Sequence, residues 1–312
     1  MADWTSTSTP RLSRFRMATM GAPDLDRLEH CYVEWLGYRV RERGTVPADL
    51  AIGWGATGVA GRRYLVLSSD GADDVHIRAV ETDAIPGYRP LTSFGWNACE
   101  IIVDDVHALA ARLRESPFEI IDGPNPLQFM PSIEAMQLIG PAGECLYLTM
   151  EGGDRTTSIL PSPRAAVDRP FILVVAGADF AGTHRWYIDR FDLRQRPIRD
   201  ARVRIIQRAQ GLAEEESFPL TTLGLAEHGF LIELDGYLTG PGRIAAPRAT
   251  APGMLPMGNA MASFEIDDIA LVEDIAIAPP VSRHGLGYDG GRSCTVTGPA
   301  GELIELIERQ AR

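Results

Sequence analysis

The sequence predicts an α+β fold built from four copies of one strand–helix–strands module, arranged as two tandem halves. Three observations carry this expectation. The turn Gly-Pro-Ala-Gly-Glu occurs at 140–144 and again at 298–302, each time leading into an apolar strand pattern, CLYLTME and LIELIE. The stretch APDLDRLEHCYVEWLGYRV (22–40) matches GADFAGTHRWYIDRFDLRQ (177–195), so that Asp24 and Tyr32 recur 155 positions later as Asp179 and Tyr187. ACEIIVDDVHALAARL (98–113) matches AMASFEIDDIALVEDI (260–275), with Asp104 falling on Asp267, 163 positions on. The second half thus repeats the first, and each half is itself double.

In each module a short apolar strand runs into an acidic helix start: Asp24, then Asp104 or Asp105, then Asp179, then Asp267 or Asp268. An aspartate at that place accepts hydrogen bonds from exposed amides and suits the positive end of the helix dipole. The first helix is expected to bury Leu25, Leu28, Tyr32 and Trp35–Leu36, leaving Glu29, His30 and Glu34 in water. Strand-like runs follow: YRVRER, RYLVLSS and VHIRAVE in the first module, SFPLTTL and GFLIELD in the third, SCTVTG and ELIELIE in the fourth. Pro/Gly-rich stretches divide the units. The expected organisation is a flexible lead-in over 1–13 and an N-terminal domain over 14–150, with modules at about 14–90 and 91–150. A linker over 151–169 leads to a C-terminal domain over 170–312, with modules at about 170–238 and 256–309.

At 312 residues the chain suits two ordinary domains, each able to bury a core. A net charge of −12 argues against nucleic acid or an anionic membrane as partner, since both are held through basic surface. All thirty basic residues are arginine, so no lysine is present to form a Schiff base or act as a general base. The four cysteines are scattered without a C-x-x-C pair, which suits small core residues in a reduced, cytoplasmic compartment. The N-terminal stretch has no apolar signal-like core, and no apolar run approaches a membrane span. No P-loop or dinucleotide-binding glycine motif occurs in a suitable context, and GGRS alone is too short to mark a phosphate site.

With these residues in view, the chain resembles the vicinal oxygen chelate superfamily. The resemblance rests on DLDR…Y…LGY after the first strand and GPAGELIEL before the last. That group contains glyoxalase I, extradiol dioxygenases, epimerases and bleomycin-resistance binding proteins. The resemblance covers residues 14 to 309 and implies four βαβββ modules paired into two tandem glyoxalase/dioxygenase-like half-barrel domains. It also implies metal ligands early in the first strand and late in the last strand of each module. The last-strand positions carried over are Arg78, Tyr147, Glu233 and Glu305. The first-strand positions are Met17, Ala98 (or Asn97), Ile172 and Met261. None is histidine, so the expected cofactor is none, with a divalent metal held by displaced ligands as the main alternative.

Glu233 and Glu305 are the candidate catalytic pair. If both enter a C-terminal cavity walled by Met261, Ile172 and Phe264, one carboxyl is pushed up by the other and the two can act as acid and base. The competing reading has them bound to arginine or facing outwards. The glycine-rich loop SRHGLGYDGGRS offers His284, Tyr288 and Arg292 as substrate-orienting residues, or else is a surface turn. In the N-terminal half, Tyr147 and His76 are candidate cavity residues, with an edge-strand surface position open for His76. PNPLQFMPSIEAMQLIGPAG is either a ligand wall or core packing.

The favoured function is a metal-independent isomerase, epimerase or lyase acting on a small carbonyl or aromatic metabolite. The alternatives are a divergent dioxygenase-like or glyoxalase-like metalloenzyme and a non-catalytic small-molecule binding protein of bleomycin-resistance type. The expected partner is a small-molecule substrate. A homodimer is left open.

Overall fold

Each module opens on a long apolar strand and closes on a short one, and these two strands lie side by side. The computed structural model describes residues 4–5, 9–72 and 74–310. The first module holds β1 (Leu12–Ala22), α1 (Leu25–Leu36), β2 (Arg39–Thr45), the short α2 (Ala48–Gly53), β3 (Arg63–Ser68) and β4 (His76–Glu81). The second holds β5 (Gly95–Val103), α3 (Val106–Leu113), β6 (Glu119–Pro126), β7 (Ile133–Ile139) and β8 (Cys145–Glu151). The third holds β9 (Val167–Gly177), α4 (Phe180–Phe191), β10 (Arg194–Gln195), β11 (Arg199–Ala201), α5 (Arg204–Gln210), β12 (Phe218–Gly224) and β13 (Leu231–Gly236). The fourth holds β14 (Gly258–Ile266), a 3-10 helix (Ile269–Ile275), β15 (Val281–Ser282), β16 (Arg292–Thr297) and β17 (Leu303–Glu308).

The acidic helix starts resolve to Asp24, Asp105, Asp179 and Asp268. Each side chain accepts from an amide in the first turn, for example Arg27 N at 2.9 Å from Asp24. α1 buries Leu25, Leu28, Cys31, Tyr32 and Leu36. The fourth module departs from the expected α-helix. Ile269, Val272 and Ile275 recur every third residue, which is the period of a 3-10 turn, and the segment winds as one.

The strands form two sheets. The first runs β15-β16-β17-β14-β1-β4-β3-β2 and the second β10-β12-β13-β9-β5-β8-β7-β6, with β11 added beside β12. The first module therefore shares a sheet with the fourth, and the second with the third. This corrects the expected pairing of neighbours within 14–150 and within 170–312. The joints are antiparallel: β1 meets β14 with Phe15 opposite Phe264, and β5 meets β9 with Cys99 opposite Leu173. The reason is edge closure. The long first strand of each module is an apolar edge that must be covered, and residues 152–166 deliver β9 to β5 rather than letting β5 return to β1. Within the expected lead-in, Thr5 N donates to Gln195 O at 2.8 Å and the Arg194 guanidinium lies 5.1 Å from the Trp4 ring; Leu12 already belongs to β1. The rest of that lead-in lies partly outside the described residues.

Consecutive modules meet through their helices instead. In the first GPAGE turn, Gly140 N donates to Glu144 O at 2.8 Å and Ala142 N to the Glu144 carboxylate at 2.8 Å. The other carboxylate oxygen accepts from the hydroxyl of Tyr32, on α1 of the preceding module, at 3.0 Å. The second copy repeats the device: Ala300 N and the Tyr187 hydroxyl, from α4, both donate to Glu302 at 2.8 Å. Glu144 and Glu302 are buried, and burial pushes each carboxyl up to about 7, partly offset by these donors. The repeat seen in the sequence is thus a clasp that ties module one to two and three to four.

The convex faces of the two sheets and their helices enclose one shared core, containing Phe15, Tyr32, Trp96, Tyr187 and Phe264 among others. Phe15 and Phe264 lie 4.7 Å apart between ring centroids. Each concave face carries its own cluster and a cavity. All four cysteines are buried and unpaired. Among the described residues no helix is long and apolar enough to cross a membrane.

Candidate functional site

Strand register fixes which side chains stand level on each concave face. In the first sheet Thr19 lies beside Arg78 and Ser263 beside Glu305. In the second, Glu100 lies beside Tyr147 and Val174 beside Glu233. The expected first-strand positions Met17, Ala98, Ile172 and Met261 sit two residues too early in all four modules. A two-residue slip keeps the face and changes the level, because side chains alternate along a strand.

The first sheet's cavity floor is filled by an ion pair. Arg78 and Glu305 are almost fully buried, with Nη2 2.9 Å from Oε2. Arg78 also donates to Thr19 Oγ1 (3.0 Å) and Tyr288 Oη (2.7 Å), and its guanidinium lies 4.4 Å from the Trp54 ring centroid. Glu305 accepts four hydrogen bonds in all: Trp54 Nε1 (2.8 Å) and Tyr288 Oη (2.7 Å) on one oxygen, Arg78 and Ser263 Oγ (2.5 Å) on the other. Burial alone would raise this carboxyl, but Arg78 and the surrounding donors hold it below the usual range. A carboxylate with every lone pair engaged is a poor proton acceptor. What remains open above it is a cavity of about 240 Å³, with His284 exposed at its edge.

The second sheet's cavity is larger, about 460 Å³, and among the described residues neither Glu100 nor Glu233 on its floor forms an ion pair. Glu100, Tyr147 and Glu233 all line it. Thr149 Oγ1 donates to Glu100 at 3.0 Å. Glu100 is buried, and burial pushes its carboxyl up, with the Thr149 hydroxyl pulling back. Glu233 is raised well above the usual range by burial and by the neighbouring carboxyls of Asp235 and Glu100. Asp235 rises for the same reasons, burial first and Glu100 second. Among the described residues, the Tyr147 hydroxyl and both Asp235 oxygens are buried with no hydrogen-bond partner. Leu127, Phe129 and Met130, from the Met/Phe/Pro-rich stretch, form part of the apolar wall.

The structure brings Tyr147 and Glu233 together and separates Glu233 from Glu305, which belong to different sheets. The proposed common wall also dissolves. Met261 is on the first concave face, Ile172 on the second, and Phe264 in the shared core. His76 lies in the first sheet beside Ser68 (Oγ to Nδ1, 2.6 Å), not beside Tyr147. Tyr288 is locked onto Arg78 and Glu305. Arg292 forms ion pairs with Glu308 (2.8 Å) and Glu273 (3.4 Å) and lines neither large cavity. Glu100 was missed. Its signal was an acid inside NACEIIV, where every residue of the nine-residue strand is buried.

The positions where the resemblance implies chelation carry no imidazole, so they lack the donors of a 2-His-1-carboxylate transition-metal site. In the first sheet they are Thr19, Arg78, Ser263 and Glu305, and the guanidinium already supplies the positive charge. In the second they are Glu100, Tyr147, Val174 and Glu233, two carboxylates without an imidazole. Among the described residues no group of three or more His, Cys, Asp or Glu side chains is placed to hold a metal ion.

Four related modules, three with an α-helix and the fourth with a 3-10 segment in its place, share two sheets and give this chain a fold of the tandem glyoxalase type. It is similar to glyoxalase I from Zea mays, with a TM-score of 0.61 and 14% identity over 95% of this chain and 92% of that one. It is also similar to a dioxygenase-like protein from Bacillus subtilis, with a TM-score of 0.61 and 13% identity over 96% and 86% of the two chains. No family model and no curated protein matches the sequence.

Proposed function

We propose that the cavity between the second and third modules is the active site of an enzyme that moves protons on a small carbonyl or aromatic metabolite without a metal. The supporting observation is the pair of buried Glu100 and half-buried Glu233 on one cavity floor, held on either side of β9. Two strand spacings, with a two-residue offset along β9 (Glu100 is opposite Ile172, Glu233 opposite Val174), place their backbones ~12 Å apart, room for a small substrate between the carboxyls. Glu100, which has a hydroxyl donor and fewer acidic neighbours, ionises first and acts as base. Glu233, facing both Asp235 and Glu100, keeps its proton and acts as acid. With an α-hydroxy carbonyl compound, Glu100 takes the proton from the hydroxyl-bearing carbon while Glu233 gives one to the carbonyl oxygen, forming an enediol. Glu100 then delivers its proton to the former carbonyl carbon while Glu233 takes the proton of the other hydroxyl, which moves the carbonyl by one carbon and restores both groups. The Tyr147 hydroxyl, without a partner of its own, is placed to donate to the substrate's carbonyl oxygen. Glu305 has no part in this chemistry.

Solvent-deuterium incorporation into a panel of enolisable ketones and keto acids, followed by proton NMR, tests the reading. The wild-type protein should exchange the α-proton of at least one compound after exhaustive chelation. Glu100→Gln should slow that exchange by ~10²–10⁴-fold. Exchange that disappears on chelation and returns with a divalent ion would favour a metalloenzyme. Tight binding with no exchange at all would favour a binding protein.

A further inference from the structure

The segment RQRPIRDARVRIIQR (194–208) carries six arginines, and Arg196, Arg199, Arg202 and Arg204 all line the larger cavity. The segment is fixed in place. Thr221 Oγ1 donates to Arg196 O at 2.9 Å, Arg199 pairs with Leu220 across β11 and β12, and Gln207 Nε2 bonds three carbonyls of the following loop. Among the described residues that line the cavity, Asp122 is the one acid besides the two on the floor, and it pairs with Arg204 at 3.1 Å. Among the described residues, Arg199 and Arg202 have no carboxylate within ion-pair distance; the Arg199 guanidinium lies 5.1 Å from the Phe129 ring centroid. In a chain of net charge −12 this is a local reversal of sign at the mouth of an apolar cavity.

We propose that this cavity takes an elongated apolar anion whose carboxylate or phosphate is held by Arg199 and Arg202 at the mouth, with the opposite end on the floor beside Glu100 and Glu233. The planar guanidinium fork matches either oxyanion. Phe129, Val203 and Ile205 supply apolar surface between the two ends. The charged group stays at the mouth and the apolar end meets the floor, so the anion and the Glu100 carboxylate are held at opposite ends of the cavity. A volume of about 460 Å³ suits a compound of one or two rings. The reacting end rests on the function proposed above; the anion preference stands on the mouth alone.

Calorimetric titration with 1-naphthylacetate, 1-naphthyl phosphate and the uncharged 1-naphthylacetamide reads it directly. At least one of the two anions should bind about tenfold tighter than the amide at low salt, with the advantage shrinking as salt is added. The tighter anion identifies the headgroup. Arg199→Gln with Arg202→Gln should weaken anion binding by about tenfold and leave the amide unchanged; both side chains are exposed, so the core is untouched. Failure of both anions to bind, equal binding of the amide, or undiminished anion binding by the double variant overturns the proposal. Glu100→Gln should keep the anion preference while losing proton exchange, so the two readings fail separately.

Discussion

At Arg78 and Glu305, two residues that the sequence places 227 positions apart meet with almost no access to water. Removing one member leaves a buried charge with donors or acceptors aimed at nothing. Arg78→Met and Glu305→Gln should therefore each cost ~3–5 kcal/mol in chemical denaturation. Replacing both, with Glu305→Leu beside Arg78→Met, should recover part of that loss, because no lone charge remains. Single variants costing under ~1 kcal/mol would mean that the pair behaves like a surface salt bridge. Glu305 was legible as a buried acid on a last strand, and so was the alternative that it binds arginine. Its partner was not, since Arg78 and Glu305 come from opposite ends of the chain. Glu100 was written into an apolar strand in plain view, but its level depended on a register that alternation alone leaves open by two residues.

The GPAGE turn is the element that recurs most faithfully, and its chemistry explains why. Gly143 and Gly301 have φ of +75° and +82°, a region that disfavours a side chain. The glutamate that follows folds back to cap the turn and receives a tyrosine hydroxyl from the module before it. Tyr32→Phe and Tyr187→Phe should each cost ~1–3 kcal/mol by leaving a buried carboxyl one donor short. Because the clasps are independent, the double variant should show the sum within ~0.5 kcal/mol in denaturant melts. Strong non-additivity would mean that the halves communicate through the shared core. The turn and the helix caps were legible because a few consecutive residues specify them. The tyrosine was visible only as a repeat at constant spacing, without its role, because the hydrogen bond spans 112 positions.

Across the whole molecule the buried acids set an unusual pH dependence. Glu144 and Glu302 are pushed to about 7 by burial, against 4.5 in the unfolded chain, and Glu100 and Asp235 are raised in the same direction. Between those values the folded protein holds protons that the unfolded chain has released, so stability is greatest below about 4.5 on this account and falls as pH rises through about 7. Asp74 acts oppositely. Burial would raise it, but Arg14 and Arg164 bring it down to about 2, so its contribution is present above 3.8 and is lost in acid. The denaturation midpoint should accordingly be highest near pH 5 and decline towards pH 8. A midpoint that climbs between pH 5 and 8 would show that the clasp carboxyls are ionised in the folded state.

Four modules, their capped starts, their turns and the inward face of most strands follow from the sequence by itself. Each depends on neighbours two to four residues apart and on a repeat that anyone can align. Only the tertiary structure decided which edges join. The four first strands are chemically alike, so composition does not choose among them. Connection length and the packing of Tyr32 and Tyr187 against the next module set first with fourth and second with third. That choice determines which acids share a cavity: it buries Glu305 against an arginine and leaves Glu100 with Glu233.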